Sequence, residues 1–165
     1  MTHPETSQQR TFVEPEVYYA QLASVHVATG ALITDRHKRI LLVKPNYRPH
    51  WLIPGGMAED GELPETACAR ELHEELGLHA KIGRLLVVDW APPAGHRTRP
   101  IIYLLFDAGT LHNEHLQLQQ AELDDAAFFT VEEAVARLSA TVSARLPAAL
   151  AAREQDLTIY RPCSD

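Results

Sequence analysis

The sequence predicts an α/β fold, a sandwich of helices around one central mixed β-sheet. Three observations carry that expectation. Apolar, β-branched runs recur along the chain as "SVHVATGALIT", "RILLVKP", "AKIGRLLVVDWA" and "PIIYLLFDAG". Helical segments are interleaved with them, and strands alternating with helices need helices on both sheet faces. The length of 165 residues suits one domain able to bury a core without disulfide staples.

Taken in order, residues 1–20 read as a polar N-terminal arm carrying Pro4 and Pro15, with "EVYYAQLA" a short helix or a strand that docks a partner. The polar "DRHKR" between the first two runs predicts a hairpin. "WLIPGG" is a short extended piece closed by Pro and Gly. A helix then starts near Leu63-Pro64, since proline is well tolerated at a first helical position, and Gly77 suits its left-handed end. Two strands follow, joined by "PPAGHRTR"; "LQLQ" is a further candidate strand and "AAFFT" a better one. Thr130 is placed to cap "VEEAVARL", and "SARLPAALAARE" makes a last helix, bent or started by Pro147. Residues 21–160 thus form the domain and 161–165 a C-terminal tail.

Composition excludes several classes. A net charge of −7 is wrong for a broad nucleic-acid footprint, although a bound cation can still admit small phosphorylated ligands. No run approaches the roughly 18 apolar residues of a membrane span. "MTHPETSQQR" lacks the apolar stretch of a secretory signal, and Cys68 and Cys163 have no metal-type spacing, so a cytoplasmic location with reduced thiols is expected. None of the nine histidines pairs at zinc-like spacing.

The predicted helix holds an electrostatic oddity. Glu71, Glu74 and Glu75 lie at i, i+3 and i+4 on one face, near the C-terminal pole, where partial negative charge disfavours acids. Ala69, Leu72 and Leu76 give the helix an apolar stripe, so it is amphipathic. Arg70 can relieve the crowding by reaching Glu74 or Glu62. A Glu-rich face can be mere solvated surface. A hard divalent cation such as Mg²⁺ or Mn²⁺ would instead turn the repulsion into binding energy. The EF-hand alternative fails, because its ligands alternate along a loop rather than a helix.

The surroundings decide between these readings. From Gly56 the chain runs five residues to Glu62, seven more to Arg70-Glu71, then through Glu74-Glu75 to Gly77-Leu78. This resembles the Nudix box, G-x5-E-x7-R-E-U-x-E-E-x-G-U with U aliphatic, at every defined position. Its seven fixed residues would coincide by chance roughly once in 10⁸ to 10⁹ windows. "WLIPGG" is similar to the family's usual lead-in.

The resemblance implies a single Nudix hydrolase domain that cleaves a phosphoanhydride bond in a nucleoside diphosphate derivative, by attack of water at phosphorus. By position it makes Glu74 and Glu75 cation ligands, Glu71 a third ligand or the base for the attacking water, and the Gly55 carbonyl a backbone ligand. Arg70 and Glu62, with Gly56, would hold the acids in register. Glu122, just before "LDDAAFF", is the candidate acid from outside the box. The cofactor implied is Mg²⁺ or Mn²⁺. The competing reading is a catalytically silent Nudix-fold module that senses a nucleotide, although such modules usually lose box carboxylates.

Substrate choice must be read from loops. "DWAPPAGHRTRP" offers Trp90 for stacking and Arg97 and Arg99 for phosphates; "NYRPHW" offers Tyr47, Arg48, His50 and Trp51. Pro93 resembles a proline found downstream of the box in ADP-ribose pyrophosphatases, and the tyrosine of diadenosine polyphosphate hydrolases has no counterpart in 94–99. ADP-ribose-like nucleotide sugars therefore lead over nucleoside triphosphates. The apolar "VYYAQLA" beside the arm suggests a homodimer.

Overall fold

The computed structural model describes residues 13–112 and 115–162. Most of the N-terminal arm and the last three residues of the tail, Cys163 among them, lie outside the described residues. Eleven elements follow in order: α1 (Pro15–Ala20), β1 (His26–Asp35), β2 (Ile40–Pro45), α2 (Pro64–Leu76), β3 (Leu85–Ala91), β4 (Ile101–Leu111), β5 (Leu123–Phe129), α3 (Val131–Arg137), α4 (Ala140–Ser143), α5 (Arg145–Gln155) and β6 (Ile159–Pro162). The strands form one six-stranded sheet in the order β5-β2-β1-β4-β3-β6. It is mixed: β1–β4 and β3–β6 are parallel, the other neighbours antiparallel.

The hairpin turn comes from Asp35, whose Oδ1 accepts the backbone N–H groups of His37 and Arg39, each at 2.9 Å. Along β1 the side chains alternate between two cores. Leu32 faces Leu86, Leu105, Leu146, Ala149 and Ala152 under α3 to α5. Ala31 and Ile33 face Cys68, Leu72 and Leu76 of α2. Leu72 and Leu76 are fully buried, each contributing about 1.5–3 kcal/mol through burial. This anchoring fixes which face of α2 is left for its acids. The layers are therefore helix, sheet, helix, as the sequence predicts.

Helix ends follow the sequence signals. Pro64 opens α2, and Gly77 closes it in the left-handed region at φ 66°. Thr130 caps α3 in a reciprocal capping box with Glu133. One expectation is overturned: "LQLQ" is not a strand. Its alternation is genuine, but its backbone serves another partner, for Gln117 N–H donates to Leu76 O at 2.9 Å and Gln119 N–H to Glu75 O at 3.0 Å. The segment fills the unpaired carbonyls at the end of α2. Of the two options for "EVYYAQLA", the helix is found, and α1 buries none of its residues. Among the described residues no helix is long and apolar enough to cross a membrane.

Candidate active site

Two glycines bring α2 against β1. Thr29 grips Gly56 O with its backbone N–H at 2.7 Å and with Oγ1 at 3.2 Å, and Ala31 N–H reaches Pro54 O at 2.9 Å. The loop is thereby strapped along the strand. Gly55 has φ 135°, a region L side chains rarely enter, and a Cβ there would overlap the Thr29 carbonyl. A Cβ on Gly56 would overlap the Glu71 carboxylate. Only glycine lets the acid of α2 lie directly on this backbone.

The acids are held apart by specific partners. Glu75 Oε2 accepts the Gly55 N–H at 3.0 Å. Arg70 links most of the rest: Nε and Nη2 donate to the two Glu62 oxygens at 3.1 Å each, Nη1 to Glu71 at 3.0 Å and to Glu74 at 2.9 Å, and Nη2 also to Met57 O at 3.0 Å. Both routes that the sequence offers Arg70 are taken at once. Its pKa is raised, first by the Glu62 hydrogen bonds.

Burial sets the acid strengths. It lifts Glu75 to about 7, with Glu71, Glu122 and Glu74 adding repulsion and the Gly55 N–H opposing. Burial also raises Glu71, against Arg70. Glu62 moves the other way, lowered mainly by Arg70. Exposed Glu122 stands just ahead of β5, near enough for its charge to raise both Glu71 and Glu75.

Does this donor set suit a divalent cation? Among the described residues no three acidic, His or Cys side chains converge as a ready metal cage. Arg70 instead occupies one oxygen each of Glu71 and Glu74. The chemistry fits nonetheless: all donors are oxygens, and two half-buried carboxylates are costly to ionise without a compensating charge. Nothing among the described residues donates to the Gly55 carbonyl. Glu71, Glu74, Glu75 and that carbonyl are the residues able to hold Mg²⁺ or Mn²⁺.

Beside Gly55-Gly56 opens a cleft of about 290 Å³, whose walls include Tyr47, Arg48, Ile53, Tyr103 and Arg145. Of the loop residues proposed from sequence, Tyr47 and Arg48 reach it. Trp51 does not; it packs edge-on against Phe129, ring centroids 4.8 Å apart. Trp90 sits within β3, in register with Ile102 and Pro162. Arg97 folds back on its own loop, donating to Arg99 O at 2.9 Å, and neither Arg97 nor Arg99 lines the cleft. His50, too, is absent from its walls. Sequence reasoning missed Tyr103 and Arg145, together with Asp89, to which Arg145 Nε donates at 2.6 Å. The signal was an Arg in a mostly apolar helix and an Asp in a mostly apolar strand, two charges that need each other.

Comparison with known proteins agrees with this geometry. A family model described as the NUDIX domain matches residues 24–150. Diphosphoinositol polyphosphate phosphohydrolase 3-alpha of Mus musculus is 35% identical over 94 residues, 56% of this chain and 54% of the relative. An 8-oxo-dGTP diphosphatase of Proteus vulgaris is 40% identical over 58 residues, 33% of this chain and 51% of that protein. The chain spans about half the length of the curated relatives it matches. Among solved structures, the MutT protein from Methanosarcina mazei Go1 superposes with a TM-score of 0.66 at 20% identity, over 81% of this chain and 96% of that one. That likeness shows the fold. Matched through most of its length, with every defined box residue present, this chain belongs to the Nudix family.

Proposed function

We propose that the chain is a divalent-cation-dependent pyrophosphohydrolase, cleaving a phosphoanhydride bond in a nucleoside diphosphate derivative by attack of water at phosphorus. The observation that carries this reading is the placement of Glu75 on the Gly55 N–H and of Glu71 against Gly56, with Arg70 joining Glu71 to Glu74 and Glu62. When bound, Mg²⁺ or Mn²⁺ supplies charge neutralisation at phosphate and a more acidic water. Glu74, Glu75 and the Gly55 carbonyl would hold the cation. Glu71, pressed against the Gly56 backbone, orients the attacking water and takes its proton. Arg70, braced by Glu62 and Met57 O, keeps the acids in register. Glu122 adds a further carboxylate from outside the helix.

The relatives, a phosphohydrolase and a diphosphatase, support the reaction class. For substrate, Pro93 keeps ADP-ribose-like nucleotide sugars ahead of nucleoside triphosphates, and diphosphoinositol polyphosphates join the comparison through the relatives. The deciding experiment is a panel of all three with Mg²⁺ or Mn²⁺, read by phosphate release with and without added phosphatase. Metal-dependent release from one class supports the reading. Nucleotide binding without hydrolysis of any member would establish the silent sensing module instead. The exposed Val17, Tyr18 and Tyr19 of α1 support pairing of two copies, for which the mass by light scattering is the test.

A further inference from the structure

The part of the cleft formed by Tyr103 and Arg145 is built across four strands. Ala28 of β1 is in register with Tyr103 of β4, Tyr103 with Asp89 of β3, and Asp89 with Arg161 of β6. Partners in register share a face of the sheet. Arg145, the first residue of α5, lies over this row. Its Nε donates to Asp89 Oδ2 at 2.6 Å, and its guanidinium stands 3.8 Å from the Tyr103 ring centroid. Asp89 is 3% exposed and Arg145 6%. A Cβ on Gly30 would overlap the Tyr103 hydroxyl, so the strand backbone fixes the ring from below.

Two features separate this assembly from an ordinary structural ion pair. The first is the balance of charge and donors. Arg145 and Arg161 face one carboxylate, which leaves one positive charge in excess, and Arg161 Nη1 is a buried donor with no acceptor. A buried donor without a partner is costly, and because Arg161 does not itself line the cleft, what it lends the site is uncompensated charge. The second is position. Arg145 and Tyr103 form part of the wall of an open cleft that Gly55-Gly56 also line. Asp89 occupies the Nε of Arg145, and a planar guanidinium still has a donor edge to offer an oxyanion.

We propose that this part of the cleft is an oxyanion site, in which Arg145 holds a second anionic group of the substrate, a phosphate ester or a carboxylate, away from the diphosphate at the acids. Asp89 and Tyr103 are positioning residues for Arg145, and Arg161 backs the site with its charge. The link to substrate rests on the hydrolase reading; the anion site itself does not.

The test uses the full chain without divalent cation, titrated with inorganic phosphate and, separately, with acetate, and followed by calorimetry and by the NMR shift of the Arg145 Nε–H. Asp89→Asn keeps an oxygen for Arg145 Nε but removes a negative charge, so it should tighten phosphate binding several-fold. The double replacement Asp89→Asn with Arg145→Gln leaves a neutral pair that can still fold, and should weaken binding at least about tenfold, the loss of a charge-assisted hydrogen bond. Circular dichroism checks that both are folded. Phosphate affinity moving in opposite directions in the two variants supports the site, and phosphate against acetate tells which oxyanion it prefers. A purely structural pair changes thermal stability and leaves phosphate affinity untouched; that result, or no phosphate binding by the wild type, overturns the proposal. Phosphate binding requires no turnover, so a protein that hydrolyses nothing yet shows the opposed shifts sinks the hydrolase reading and keeps the anion site.

Discussion

The two parts of the site are built in opposite ways. In one, Glu71, Glu74, Glu75 and Arg70 belong to a single helix turn or two, and Gly55, Gly56 and Glu62 come from the loop just before it. In the other, Asp89 and Arg145 meet across 56 positions of sequence, and Tyr103 and Arg161 join them only through strand order. The first is a local device, specified by spacing. The second exists only once the sheet has formed. Chemistry confined to one helix survives in a short pattern, whereas recognition assembled across a sheet leaves no pattern to read.

Each part can be broken separately. The largest effect is expected at the acids: Glu71→Gln or Glu75→Gln should lower metal-dependent kcat by about 10²–10⁴, with the circular dichroism spectrum unchanged. Turnover at the wild-type rate in either variant would reassign the helix. The Arg145 part should answer in stability first. Arg145→Ala leaves the Asp89 carboxylate buried without its partner and should cost about 3–5 kcal/mol in chemical denaturation.

A pH series sharpens the contrast. Glu75 has a carboxyl held near 7 in the folded protein against 4.5 when unfolded, so between those values the native state holds more protons. Stability of the metal-free protein should therefore fall as pH rises through that window, by at most about 3 kcal/mol from this group. Glu75→Gln should flatten that part of the curve, making the inactive variant the more stable protein at pH 8. Equal pH profiles for the two proteins would contradict the burial assigned to Glu75. The smallest effect serves as a control for both parts: Thr130→Ala removes the α3 cap and should cost about 1 kcal/mol without changing activity.

These contrasts also explain what could be read in advance. The boundaries of α2 were legible because Pro64 and Gly77 act on the backbone locally, and the contact of Arg70 with Glu74 followed from helical periodicity. Glu122 was placed by its nearness to a late strand, and its charge does reach Glu71 and Glu75. The tryptophans misled, since an indole serves equally for stacking a ligand or packing a core, and Trp51 found Phe129. β6 escaped notice because four residues ending in proline carry almost no periodic signal; pairing with β3 defines it. "LQLQ" shows the converse, an alternating pattern whose amides were claimed by a helix end before any strand could use them.

That last docking has a reach beyond the helix it completes. Gln117 and Gln119 present amide hydrogens to the carbonyls of Leu76 and Glu75, directly beneath the crowded acids, and a side chain on Gly77 would run into Gln117. The partial positive charge of those amides offsets the negative pole that made the position of the acids look wrong. The connection between β4 and β5 thus completes the helix end with backbone alone. A side-chain scan would pass over it in silence, while deleting a single residue there would be felt at once by Glu75.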